Sequence, residues 1–128
     1  MGIELSVIVP AFNEERRLPG TLAAAYTFLT AQNWQWELLV ADDGSDDRTP
    51  EIAREWSERD SRIRLLHLPH RGKAAAVRSG VLAATGAYVV FTDADLSTPI
   101  DYLDPALRLL REGWDIVIGS REGALARR

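Results

Sequence analysis

Five short, nearly continuous apolar runs recur along the chain: LSVIVP at 5–10, WELLVAD at 36–42, IRLLHL at 63–68, AYVVFTD at 87–93 and DIVIGS at 115–120. Their lengths and their valine, isoleucine and leucine content suit strands covered on both faces, the pattern of a parallel sheet. Parallel neighbours cannot be joined by a tight turn, so each pair needs a crossover long enough to hold a helix. Helical patterns fill the gaps. Leu18, Leu22, Ala25 and Leu29 recur at i, i+4, i+7 and i+11 within a helix expected over about 17–31. Thr49-Pro50 reads as an N-cap followed by proline at the first helical position, with Ile52, Ala53 and Trp56 turned inward. A third helix, over about 73–85 and ending at Gly86, is built of alanine, valine and glycine and can approach the sheet closely. A fourth begins near Asp101 and buries Leu103, Leu107 and Leu110. Strand then helix, four times over and closing on a fifth strand, predicts an open α/β sheet with right-handed crossovers.

At 128 residues the chain is one domain by length, able to bury roughly two thirds of the surface its unfolded form exposes. With 46% hydrophobic and 27% charged residues, neither disorder nor a coiled coil is favoured. A formal charge of −4 argues against a nucleic-acid partner, which needs a basic face, and requires any anionic substrate to be accommodated locally. The absence of cysteine excludes a disulfide framework and thiolate metal sites and fits a reducing, cytoplasmic setting. MGIELSVIVP has neither the basic run nor the long apolar core of a leader peptide. No apolar run approaches the roughly eighteen residues of a membrane span, so a soluble chain is expected. There is no internal repeat, low-complexity segment or linker.

In an open α/β sheet, ligands bind beyond the carboxyl ends of the strands, near the point where strand order reverses. The polar chemistry of this sequence lies at those ends: PAFNEE after the first strand, DDGSDD after the second, HLPHRGK after the third, TDADLS after the fourth and GSR after the fifth. The fingerprint G-x-G-x-x-G is missing after the first strand and the loop G-x-x-x-x-G-K-[ST] is missing throughout, which speaks against a dinucleotide-dependent dehydrogenase and a P-loop NTPase. Asp93 and Asp95 stand two apart; on an extended strand both face one side, with Cα atoms roughly 6.6 Å apart. Two such carboxylates repel each other and a diphosphate unless a hard divalent cation sits between. Mg²⁺ or Mn²⁺ suits that place, taking one or two carboxylates and completing its shell with substrate oxygens. Taken alone, D-A-D reads equally as a cap on the following turn and helix. Asn13 and Glu14 likewise suit a helix start, Asp42 to Asp47 a solvated turn, and Lys73 a surface position. His67 and His70 have no third ligand nearby in sequence to make a metal site. Trp34, Trp36, Trp56 and Trp114 read as core or rim packing.

IVPAFNEE, LLVADDGSDD, RGKAAAVRSG, GAYVVFTDADLSTP and DIVIGSR, in this order and spacing, resemble the nucleotide-sugar half of glycosyltransferase family 2, inverting enzymes of the GT-A fold. In particular they resemble the branch that moves a sugar onto dolichyl or another polyprenyl phosphate. The resemblance runs from about Leu5 to Arg121 and implies an open, mainly parallel Rossmann-like sheet with helices on both faces, one GT-A-like nucleotide-sugar-binding domain over 1–128. It implies that Pro10, Ala11, Asn13 and Glu14 line the nucleoside pocket. Asp43 would contact the base or ribose with Asp42 behind it, and Lys73 would approach the nucleotide or sugar from the start of its helix. Asp93, Ala94 and Asp95 would form the D-x-D element, with Asp95 the main metal ligand and Asp93 on ribose, sugar or metal. Arg121 would meet the diphosphate or the acceptor phosphate through its guanidinium fork.

The activity so implied is transfer of a sugar from a UDP- or GDP-sugar to a lipid-phosphate or glycan acceptor, with inversion, assisted by Mg²⁺ or Mn²⁺ and by Asp93, Asp95 and Arg121. The alternative is a nucleotide-binding fragment without transfer activity. A sugar-nucleotide-forming nucleotidyltransferase is disfavoured, because its glycine-rich basic loop near the first strand is not seen. Two departures from the family pattern stand out. Ala74 replaces the second glycine of a frequent G-K-G, which a helical backbone tolerates. Family domains also continue well past residue 128, with an acceptor side and, in lipid-linked members, a membrane anchor. The chain is therefore expected to be incomplete at its C-terminus, the full-length protein to sit at the cytoplasmic face of a membrane, and the uncovered edge of strand four to pair two copies.

Overall fold

The computed structural model describes residues 2–96 and 98–113. Within them run β1 (Leu5–Ala11), α1 (Leu18–Ala31), β2 (Trp36–Asp42), α2 (Thr49–Arg59), β3 (Ile63–His67), α3 (Lys73–Ala83), β4 (Tyr88–Phe91) and α4 (Leu103–Arg111), the last entered through a 3₁₀ turn at Ile100–Tyr102. The expected fifth strand, 115–120, lies outside the described residues, as does Arg121. The strands form one sheet in the order β3-β2-β1-β4, and every pair is parallel. From β1 the chain winds outward to β3 and then returns to the other side of β1 to lay down β4. That reversal opens a crevice at the carboxyl ends of β1 and β4.

Strand alternation sorts the core into two layers. Leu5, Val7 and Val9 of β1 join Leu38 and Val40 of β2, and pack with Leu22 and Leu29 of α1, Ala53 of α2 and Leu103 and Leu107 of α4. On the other face Ile8, Leu39 and Ala41 meet Ala76 of α3. Helix α3 comes closest at Gly80, where a Cβ would lie 2.5 Å from Ile8 Cγ2. The tryptophans pack as expected where described. Trp36 is fully buried, with the Tyr26 ring edge-on and the Arg62 guanidinium 4.3 Å from its ring centre. Trp34 lies against Phe28, and Trp56 against Tyr26.

Two helix ends differ from the sequence expectation, the first for a tertiary reason and the second for a local one. Helix α3 stops at Ala83, because the Thr85 N–H is taken by the buried Glu37 carboxylate at 2.7 Å and the Gly86 N–H by Ser6 Oγ at 2.8 Å. Burial pushes the Glu37 carboxyl up, but donors from Thr85, Ser6 and Arg64 outweigh it and hold the group below its ordinary range. At the start of α2, Thr49 does not cap. It lies inside the helix, and Asp47 Oδ1 accepts both its N–H at 2.9 Å and its hydroxyl at 2.6 Å.

Candidate active site

A cavity of about 280 Å³ opens where the sheet order reverses. Strand β1 and the loop after it deliver Pro10, Ala11, Phe12 and Glu14 to it, the loop after β2 delivers Asp43, the start of α3 delivers Lys73 and Ala76, and the turn after β4 delivers Asp93, Ala94 and Asp95. Pro10, Ala11, Glu14, Asp43, Lys73, Asp93, Ala94 and Asp95 are thus brought together as the sequence predicted. Asn13 and Asp42 stand outside the lining. Sequence reasoning passed over Phe12 and Ala76. Phe12 carried a signal, a large apolar residue placed directly after a strand, and it is 40% exposed.

The D-A-D element needs a correction. Strand β4 ends at Phe91, not at residue 93, so Asp93 and Asp95 do not share a strand face. The Thr92 N–H still donates to the Ile8 carbonyl at 2.9 Å; then the chain turns, with the Leu96 N–H on the Asp93 carbonyl at 3.1 Å and Leu96 at φ 51°. Ala94, 4% exposed, fastens this turn to α1 through its carbonyl, which accepts the Thr21 hydroxyl. Both carboxylates reach the cavity from the turn. Neither has a basic neighbour in sequence, yet the fold supplies cations from other loops: Lys73 Nζ lies 2.6 Å from Asp93 Oδ1, and Arg17 Nη1 3.6 Å from Asp95 Oδ2. Arg17 also pairs with Glu14. Behind the turn the Tyr102 hydroxyl donates to the Phe91 carbonyl at 2.7 Å. Burial, with Asp93 adding to it, pushes that phenol up to about 12 and keeps it a neutral donor.

Asp43 is 4% exposed. Its Oδ1 accepts the Arg71 N–H at 2.8 Å, and its Oδ2 lies 3.0 Å from the Gly72 N and 2.9 Å from His70 Nδ1. Desolvation raises this carboxyl, but the backbone donors of Arg71 and Gly72 and the His70 ring together hold it below its ordinary range. Asp43 therefore fixes the loop between β3 and α3 at the floor of the cavity. Gly44 permits the approach: it has φ +73°, and a Cβ there would lie 2.7 Å from the His70 nitrogen. The His70 ring stacks on Phe12 with centroids 4.3 Å apart and planes 20° from parallel. His67 turns instead toward Asp42, at 3.6 Å.

Among the described residues no group of three or more histidine, aspartate or glutamate side chains could hold a metal ion. The two carboxylates of Asp93 and Asp95 are hard oxygen donors at the cavity wall, and fit a divalent cation whose remaining ligands come from elsewhere.

The sequence profile of Glycosyl transferase family 2 matches residues 6–126. The dolichyl-phosphate beta-glucosyltransferase of Drosophila melanogaster is 42% identical over 133 residues, which cover 93% of this chain and 41% of that protein. Among solved structures, the mannosyltransferase PcManGT from Pyrobaculum calidifontis in complex with GDP-Man and Mn²⁺ is similar at a TM-score of 0.69 and 33% identity, over 91% of this chain and 34% of that one. S. aureus TarS 1-349 in complex with UDP-GlcNAc is similar at a TM-score of 0.65 and 25% identity, over 86% of this chain and 32% of that one. The chain spans about two fifths of the length of the dolichyl-phosphate relatives with 42% and 40% identity. With its motifs in family order, its α/β sheet like that of the solved relatives, and a profile match across nearly its whole length, the chain belongs to glycosyl transferase family 2.

Proposed function

We propose that the cavity is the donor site of an inverting glycosyltransferase that takes a UDP- or GDP-sugar and passes the sugar to a polyprenyl or dolichyl phosphate. The observation that carries this reading is the convergence of Asp43, Lys73, Asp93 and Asp95 on one crevice at the sheet's reversal point. Pro10, Ala11, Phe12 and Asp43 form the nucleoside wall, and Asn13 and Asp42 support it from behind. Lys73 faces the diphosphate, and Asp93 and Asp95 hold Mg²⁺ or Mn²⁺. Such a cation supplies neutralisation of the charge that grows on the leaving diphosphate. Arg121 is assigned to the diphosphate or acceptor phosphate on sequence grounds alone.

An oxygen of the acceptor phosphate bonds to the anomeric carbon from the face opposite the leaving group. The bond from that carbon to the diphosphate oxygen breaks, the nucleoside diphosphate departs, and configuration inverts. A phosphate is already ionised at neutral pH, so no general base is required. The names of the relatives support a lipid-phosphate acceptor, and our reading includes a working protein at the cytoplasmic face of a membrane. Among the described residues no helix is long and apolar enough to cross one. Pairing of two copies along β4 belongs to the same reading.

Calorimetric titration of UDP and GDP, with Mn²⁺ and again with chelator, tests the donor site. Binding of one nucleotide that depends on the metal is expected, and Asp95→Asn should weaken it by at least about tenfold, the loss of one charged ligand. Unchanged affinity in Asp95→Asn would remove Asp95 from the site. A product assay with polyprenyl phosphate then separates a transferase from a fragment that only binds.

A further inference from the structure

Asn13 is exposed and outside the cavity lining, yet it holds φ 52°, a left-handed conformation that asparagine tolerates better than most residues. Its backbone N–H donates to Ser45 Oγ at 2.8 Å, and its side-chain Oδ1 accepts the Asp46 N–H at 2.9 Å. The next two residues extend the seam: the Glu14 N–H donates to Thr49 Oγ1 at 2.8 Å and the Glu15 N–H to Asp47 Oδ2 at 3.2 Å. Ser45 Oγ is itself oriented by donating to the fully buried Asp42. The loop after β1 is thereby stitched to the loop after β2 by bonds whose side-chain partners, Asn13, Ser45, Asp47 and Thr49, all lie outside the cavity lining.

The residues on either side of Asn13 do face it. Phe12 lines the wall and stacks on His70, whose loop Asp43 fixes. Glu14 lines the wall and binds Arg17, which reaches Asp95.

We infer that Asn13 is a positioning residue: it locks the β1 loop onto the β2 loop and so sets Phe12 and Glu14 for the donor, without touching it. The inference rests on the donor-site reading. The interlock uses only the carbonyl oxygen of the Asn13 side chain, which makes it separable from direct contact. Asn13→Asp keeps an acceptor oxygen and tolerance of the left-handed backbone, Asn13→Gly keeps the backbone alone, and Asn13→Ala keeps neither.

Two readings decide it. Exchange of the Asp46 amide should be slow in the wild type and in Asn13→Asp, and fast in Asn13→Gly and Asn13→Ala. Nucleotide affinity, measured with Mn²⁺ at about 0.5 M salt so that the added charge is screened, should fall roughly tenfold in Asn13→Ala, less in Asn13→Gly, and stay within about twofold in Asn13→Asp. An Asn13→Asp as weak as Asn13→Ala, with Asp46 still protected, means that the amide group touches the nucleotide and overturns the positioning role. Equal affinity in all three variants overturns it as well. If the wild type binds neither nucleotide, the donor-site reading falls and takes the role of Asn13 with it. Slow Asp46 exchange in Asn13→Gly overturns the interlock while the donor site stands.

Discussion

Both carboxylate oxygens of Asp43 are occupied by N–H groups of the β3–α3 loop, so Asp43→Asn leaves one neutral acceptor oxygen where the loop now uses two charged ones. Giving up these charge-assisted bonds costs about 1–2 kcal/mol, and the variant's Tm should fall accordingly at neutral pH. The sign of the pH dependence follows from the folded carboxyl lying below its ordinary value of 3.8. Its stabilisation is fully present above that value and is lost as pH falls below it. The wild-type and Asp43→Asn melting curves should therefore converge on acidification past 3.8; a gap that stays constant would mean that the carboxylate charge contributes nothing. At this scale Asp43, Lys73, Asp93 and Asp95 were legible as a group, because each follows the carboxyl end of a strand, Lys73 at the start of α3, on the side where a parallel sheet collects ligands. Arg17 was not legible as a partner of Asp95, since nothing in the chain gives the distance between the start of α1 and the turn after β4. Asn13 was expected in the nucleoside pocket and stands outside the cavity lining, and its dealings with Ser45 and Asp46 exist only once two loops meet.

Helix α3 can lie flat on β1 because Gly80 offers no side chain to Ile8. Gly80→Ala gains about 1 kcal/mol of helix propensity. It also drives a methyl to 2.5 Å from the Cγ2 of a fully buried isoleucine, and such overpacking costs about 1–3 kcal/mol. The second effect wins, so a net loss of up to about 2 kcal/mol is expected by urea denaturation. In an Ile8→Ala background the clash is gone and the same substitution should stabilise. A loss in both backgrounds would show that the cost does not come from this contact. Element positions followed the apolar periodicity because each periodic face packs where the pattern points, as Leu18, Leu22, Ala25 and Leu29 all do. Element ends did not follow it. Glu37 decides where α3 stops, and the turn hydrogen bond from Leu96 to Asp93 decides where the chain leaves β4; both partners are remote or conformational and leave no periodic trace.

Across the whole molecule, the described sheet places β4 at one end, and its side chains are not all covered. Phe91 is 53% exposed and Val89 36% exposed. Phe91 stands opposite Ile8 and Val89 opposite Ser6, so both project on the α3 side of the sheet. The carbonyl of Phe91 is already taken by the Tyr102 hydroxyl, which leaves apolar side chains, more than a free backbone ladder, to drive association. Apolar residues beside a strand at the end of the described sheet favour pairing with another chain, and the pairing proposed above takes that chain to be a second copy. The purified protein should therefore show a weight-average mass that rises with concentration in sedimentation or light scattering. Phe91→Lys places a charge in that contact, where burial without a partner is costly, and should weaken association by at least about tenfold while leaving nucleotide affinity at the proposed donor site unchanged. A wild type that remains monomeric across the accessible concentration range removes self-association from the account. Equal association by Phe91→Lys would move the interface away from β4.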